Sequence, residues 1–207
     1  MEMERIIKRC NEAIDVAAAK ASIPHFVWKH CKGVAIITVS ETGFVFSISG
    51  GDGVVIRHEY DEGTWGPPSA VMFTGAAAGA IFGKATKQIF LFPMTELGLK
   101  MLSGHTSVEL GVQMGVAAGP YGREAETGAN VGGSGADITY SYTFEKGAMV
   151  NVGFNGYAIH ARNDTNEDFY GVDKFVMDIV LTPGTVDIPK GKGVEEMHEK
   201  LAQLSKK

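Results

Sequence analysis

The protein has 207 residues, 44% of them hydrophobic, and its formal net charge is −5 at pH 7. A chain of this length can bury most of its apolar surface in one core, and no linker rich in proline, serine or charge divides it, so we expect a single domain. The acidic balance and the lack of a stripe of lysine and arginine exclude a general nucleic-acid binder.

Apolar residues recur every three or four positions near the N-terminus. This spacing predicts an amphipathic helix over residues 3–17, with an apolar stripe on one side and charged residues on the other. Pro24 suits the first turn of a second, short helix over residues 25–32, which Gly33 ends.

Strand-like segments follow the two helices. The first three predicted strands cover residues 34–40, 44–49 and 54–60. The intervening segments 41–43 and 50–53 contain glycine and are short enough for hairpin turns. After a loop around Trp65, residues 69–84 are small and apolar, and residues 88–92 predict another strand.

In the second half of the chain, both helices and strands are predicted. Hydrophobic spacing predicts a short helix over residues 95–103 and an amphipathic helix over residues 194–204. A long glycine-rich connection is expected at residues 119–135. Further strands are predicted over residues 108–118, 137–144, 148–154, 157–162 and 175–181.

Many of the 27 glycines lie inside the strand-like segments. Glycine weakens a strand unless another backbone comes close or the sheet bends, so the pattern indicates a strongly coiled antiparallel sheet, either open or barrel-like. The predicted fold class is α+β. We expect N-terminal helices within residues 1–32, a β-rich core over residues 33–182 and a C-terminal helix over residues 193–205.

One acidic segment has the alternating oxygen ligands of a calcium loop. Asp164, Asn166 and Asp168 are the candidate metal ligands, but Phe169 stands where such a loop has its turn glycine. The alternative is a turn between two strands, with Asn163, Asp164 and Asn166 bonding their own backbone. Calcium is the only cofactor that the sequence suggests, and both interpretations stay open.

Nothing in the sequence predicts catalysis. The six histidines lack metal-binding spacing, and no nucleophile, base and acid form a recognisable set, so we expect a protein without enzymatic activity. The uncharged apolar run 70–83 is shorter than the roughly 18 residues that span a bilayer. Because the chain also has only two cysteines and shows no secretory leader, we expect a cytoplasmic protein.

Five separated blocks resemble, in the same order, the blocks of the SYLF domain family. The first is a proline-led helix that enters a Lys-Gly strand and then a Gly-Phe hairpin. The blocks lie at residues 24–53, at Trp65 with 67–70, and at 117–123, 140–147 and 166–171.

This resemblance implies a non-enzymatic domain that binds acidic lipids, phosphoinositides among them, and associates peripherally with membranes. The family attributes lipid contact to a basic amphipathic N-terminal helix. The matching residues here are Arg5, Ile6, Ile7, Lys8, Arg9 and Lys20. This helix departs from the family pattern because acidic residues balance its basic ones. The alternative function is a protein-interaction module that binds actin or a membrane-trafficking partner.

Overall fold

A computed structural model describes residues 1–59, 64–103, 108–110, 116–118 and 139–206 of the protein. Its helices are α1 (Glu2–Lys20), α2 (His25–His30), α3 (Glu96–Leu102), α4 (Asn163–Tyr170), α5 (Val176–Leu181) and α6 (Val194–Lys206). Its strands are β1 (Gly33–Glu59), β2 (Thr64–Trp65), β3 (Ser69–Pro93), β4 (Val108–Leu110), β5 (Val116–Ala118) and β6 (Thr139–Ala161). The α+β class is therefore confirmed.

Three long strands form most of the sheet, whose order is β2-β1-β3-β6-β4, with β5 also paired to β6. β1 with β3 and β3 with β6 are antiparallel, whereas β5 runs parallel to β6. This order is an open path through the described strands, so a closed barrel is not confirmed.

β1 reverses direction near its middle. The backbone N–H of His58 donates to the carbonyl of Lys32 at 3.0 Å, although the two residues lie at opposite ends of the strand. The reversal coincides with Val45, which has a φ of 68°. β3 pairs with both halves of β1, and its register with β1 shifts between Phe44 and Phe46. β3 therefore follows β1 around the turn.

Glycine allows the two halves of β1 to lie close together. A Cβ atom at Gly53 would overlap the carbonyl oxygen of Ile36, and one at Gly51 would overlap that of Thr38. This agrees with the general expectation that glycines inside strand-like segments mark close backbone approach or bending. The predicted turn at residues 50–53 was wrong, because these glycines lie inside the strand and serve its packing.

The sheet buries apolar side chains on both faces. On one face, Ile36, Val54 and Phe90 belong to a cluster that includes the buried stripes of α1 and α6. On the other face, Ile37 and Phe73 pack with residues of α3 and α5. Alternation along a strand explains this division, because successive side chains point to opposite faces.

Four helices predicted from spacing are confirmed, namely α1, α2, α3 and α6. α3 begins as expected, since the hydroxyl of Thr95 accepts a hydrogen bond from the N–H of Gly98 at 3.0 Å. The strand predicted over residues 175–181 was wrong. This segment is helix α5, whose Val176, Ile179 and Val180 face the core at helical spacing.

Residues 119–135, predicted as a connection, lie outside the described residues. Of the strand predicted over residues 108–118, the structure describes the two short pieces β4 and β5. The strands predicted over residues 148–154 and 157–162 are parts of β6. None of the helices in the described part of the chain is long and apolar enough to cross a membrane.

Candidate functional site

The apolar stripe of α1 is part of the hydrophobic core. Ile6 and Ile7, predicted as lipid-contacting residues, are each 0% exposed. They share one cluster with Ile36 of β1 and with Met197 and Leu201 of α6. Lipid contact through Ile6 or Ile7 therefore requires α1 to leave the sheet.

Two of the predicted basic residues meet an acid of β1. Arg5 donates to a carboxylate oxygen of Asp52 at 2.9 Å, and Arg9 donates to the other oxygen. Glu2 of the same helix accepts two hydrogen bonds from Arg162, at 2.8 and 3.2 Å. These bonds lower the pKa of Glu2. Ion pairs thus attach α1 to the end of β6 as well as to β1.

The remaining two predicted lipid contacts lie apart from each other. Lys8 is exposed and lines a groove of about 580 Å³ between α1 and the segment that leads into α6. Lys20, at the other end of α1, places its ammonium 5.1 Å from the ring centroid of Phe144. The structure brings Arg5 and Arg9 together on Asp52 but does not gather the six predicted residues into one surface.

Opposite charges are paired along the α1–α6 groove. Lys192 lies 2.8 Å from Glu4, and its hydrogen bond lowers the pKa of that carboxyl. Lys200 contacts Asp15 at 2.8 Å and Glu196 at 2.7 Å. The groove therefore joins two helices through compensating charges and does not present a strongly basic surface.

The candidate metal ligands lie on helix α4 and not in a turn between two strands. Asp164 and Asp168 are exposed, whereas Asn166 is buried and accepts a hydrogen bond from the backbone N–H of Ala70 at 2.8 Å. This bond gives Asn166 a structural role that links α4 to β3. The structure does not bring the three side chains together. The described residues contain no group of three or more His, Cys, Asp or Glu placed to hold a metal.

Two histidines, one buried and one half-buried, lie next to β2. The His58 ring stacks on Trp65 with centroids 4.3 Å apart, and its Nδ1 lies 3.2 Å from the carbonyl oxygen of Cys31. His198 of α6 places Nε2 2.8 Å from the carbonyl oxygen of Gly66. Burial lowers the pKa of both histidines.

We expect the protein to lose stability as the pH falls below about 6.5, the ordinary histidine pKa. The unfolded chain then takes up protons that buried His58 and half-buried His198 resist, so acid favours unfolding. Thermal melting between about pH 7.5 and 5.5 would measure this slope. The variant His58→Gln/His198→Gln should show a flatter slope, and an unchanged slope would contradict the assignment.

The two thiols are unsuited to nucleophilic chemistry. Cys10 and Cys31 are free and buried, and burial raises the pKa of each to about 12. A thiol with such a pKa carries almost no thiolate at neutral pH, and the thiolate is the reactive form. Neither cysteine therefore has the low pKa typical of a catalytic thiol.

The turn of β1 exposes a cluster of large apolar side chains. We call this cluster the β1 tip, and it consists of Phe44, Val45, Phe46 and Ile48. Phe44 is 75% exposed, Ile48 is 74% exposed and Phe46 is 69% exposed, which are the highest values for large hydrophobic residues in the described part of the chain. Sequence reasoning missed this surface because it did not foresee the reversal of β1 at Val45, which exposes these side chains. The available signal was the lack of charge from residue 42 to residue 51.

Comparison with known proteins identifies relatives across most of the chain. A family model described as "Ysc84: Las17-binding protein actin regulator" matches residues 74–204. Protein YSC84 of Saccharomyces cerevisiae is 36% identical over 185 residues, which cover 89% of this chain and 39% of that protein. LAS seventeen-binding protein 3 of the same species is 37% identical, covering 75% of this chain and 34% of the relative.

More distant relatives cover nearly the whole chain. Human SH3 domain-containing YSC84-like protein 1 is 27% identical over 98% of this chain and 57% of its own length. The chain thus spans less than two thirds of each of these relatives. No solved structure matches the chain. Because the family model covers more than half of the chain, and because the yeast relatives exceed 30% identity, the expected resemblance is confirmed and the chain belongs to the Ysc84 (SYLF) family.

Proposed function

We propose that this chain is a non-enzymatic interaction domain that acts in actin regulation, through contact with actin or with a Las17-like regulator of actin. The observation that carries the proposal is the match of residues 74–204 to a family described as a Las17-binding actin regulator. A cytoplasmic location fits this role, since actin and its regulators work there. The free, buried cysteines agree with a reducing compartment.

The geometry of the described residues is consistent with a binding module. His58 and His198 bond to backbone carbonyls, and the groove between α1 and α6 is lined by paired charges. Hydrogen bonds and ion pairs of this kind stabilise a fold. Active sites, by contrast, concentrate residues with perturbed pKa values in a cleft. Binding through the protein surface is therefore the simplest function for this fold.

Co-sedimentation with actin filaments tests the proposal directly. We expect the chain to pellet with filaments or, in a separate capture assay, to retain a purified Las17-like protein. The same chain without filaments controls for self-aggregation. Failure in both assays, with a chain shown to be folded by its melting transition, would contradict the proposal.

A second candidate function is binding to acidic lipid surfaces, including phosphoinositides, as a peripheral membrane protein. The observation that favours it is the exposed β1 tip, because soluble proteins rarely leave a cluster of large apolar side chains in water without use. The predicted route through Arg5, Ile6, Ile7, Lys8, Arg9 and Lys20 remains part of this candidate. In that route α1 must exchange its core contacts for lipid, since Ile6 and Ile7 are buried.

A further inference from the structure

The β1 tip lies at one end of the sheet. The strand segments that meet at this end carry no charge. In the sequence, residues 42–51, 70–83 and 147–159 contain no Asp, Glu, Lys or Arg. The strand register brings these segments together, because Phe44 pairs with Phe82 and Phe82 pairs with Val150. This end therefore lacks charge in the segments named, although 21% of all residues are charged.

Along the strands away from this end, the first exposed charged residues are basic. Lys84, which pairs with Thr42, and Lys146, which pairs with Thr86, are both exposed. The nearby acid Glu41 is buried and lies 3.0 Å from the ammonium of Lys87. Glu145, beside Lys146, is only partly exposed, so the two fully exposed charges in the described part of this end are positive, although the protein as a whole is acidic.

We propose that the β1 tip inserts into the hydrocarbon region of an anionic bilayer while Lys84 and Lys146 contact the lipid headgroups. This inference rests on the second candidate function and assigns it to a surface other than α1. Apolar residues at a protruding turn gain free energy when they leave water for lipid. Basic residues just behind them are attracted to the negative surface of the membrane.

The spacing along the strands matches this arrangement. Lys84 pairs with a residue two positions before Phe44, and two residues of a strand span roughly 7 Å. That separation places an ammonium at headgroup depth when the phenyl ring has entered the acyl region. Insertion in this way leaves the core contacts of α1 unchanged. Charge complementarity thus favours an anionic membrane over a protein groove as the occupant.

Vesicle co-sedimentation of the full chain tests the inference. The vesicles contain equal parts of phosphatidylcholine and phosphatidylserine, with phosphatidylcholine alone as the uncharged comparison. We expect Phe46→Ser/Ile48→Ser to lower the partition coefficient by at least about tenfold. Leu97→Ser is the matched control, because Leu97 is also an exposed apolar residue but lies on α3, and it should bind like the wild type. Lys84→Gln/Lys146→Gln should weaken the salt-dependent part of binding.

A tryptophan reporter provides a second readout of insertion. The native Trp28 and Trp65 are buried, so a tryptophan introduced by Phe46→Trp is the one expected to respond to lipid. Its emission should shift to shorter wavelength with anionic vesicles and should be quenched by lipids brominated in the acyl chain. No shift in a variant that pellets with the vesicles would overturn insertion at the tip.

The possible outcomes test the assignment of the β1 tip separately from lipid binding itself. If the wild type does not bind the vesicles, both the lipid candidate and the tip assignment are wrong. If Phe46→Ser/Ile48→Ser binds like the wild type, the tip assignment is wrong but lipid binding stands. Loss of filament binding or of self-association in this variant, with vesicle binding intact, would identify the tip as a protein contact and overturn the inference.

Discussion

Replacement of Gly53 by alanine is expected to destabilise the protein by about 3 kcal/mol and to lower its unfolding midpoint clearly. The added methyl group would overlap the carbonyl oxygen of Ile36 and lie 2.7 Å from the Cα of Ile37. Both contacts involve backbone, which cannot rotate away as a flexible side chain can. The two halves of β1 would have to separate, and β3, which pairs with both halves, would be disturbed with them.

Gly50 provides the matched control in the same strand. A Cβ atom there meets nothing within 4 Å, so Gly50→Ala should change the free energy of unfolding by less than about 0.5 kcal/mol. Denaturant titration of the two variants beside the wild type measures both effects. Equal stability of Gly53→Ala and the wild type would refute the close approach of the two halves of β1.

The second large effect is expected in α1. Ile7→Gln should cost about 3 to 5 kcal/mol, because it removes a fully buried apolar side chain and takes a polar amide out of water. Ile7 is 0% exposed and packs in the cluster shared by β1, α1 and α6. Thermal melting or denaturant titration reports this loss as a lower midpoint.

Lys8→Gln introduces the same residue at the neighbouring position. Since Lys8 is exposed, the change should leave the free energy of unfolding within about 0.5 kcal/mol of the wild type. A mild effect of Ile7→Gln would instead indicate that α1 is loosely held and free to leave the sheet. This pair of variants therefore also tests whether the route to lipid through α1 is open in the folded protein.

Local periodicity was enough to predict the helices that bracket the sheet. In α1, Met3, Ile6, Ile7, Cys10 and Ile14 recur at helical spacing, and each is buried. The same reasoning found α6 through Val194, Met197 and Leu201. The residues that form the buried face of an amphipathic helix lie three or four positions apart, so their spacing can be recognised in a single sequence.

The course of β1 depends on contacts that are distant in sequence. Glycines at residues 50–53 are typical of a turn, yet they allow two backbones to approach, and the chain reverses at Val45 instead. Val176, Ile179 and Val180 have side chains that favour strands, but they form a helix because their spacing fits its packing face. Tertiary packing decided both cases.

The β1 tip was hidden by the usual assumption that apolar residues lie inside. Phe44, Phe46 and Ile48 look like core residues of a strand, and only the position of the turn places them in water.

The candidate metal ligands illustrate the opposite case. Asp164 and Asn166 alternate as loop ligands do, but a helix turns them to different sides, one exposed and one buried. Exposure at both places follows from the backbone path and not from residue type.

The contact between α1 and α6 has a consequence for synthesis of the chain on the ribosome. Asn11 donates to the carbonyl oxygen of Gly193 at 3.0 Å, and Lys200 donates to Asp15, so residues of α1 are covered by residues that are translated 182 and 185 positions later. Until the final helix has left the exit tunnel, the nascent chain keeps Ile6 and Ile7 partly uncovered. This core can therefore close only after α6 has been synthesised, and until then the nascent chain is a natural client for chaperones that shield apolar segments.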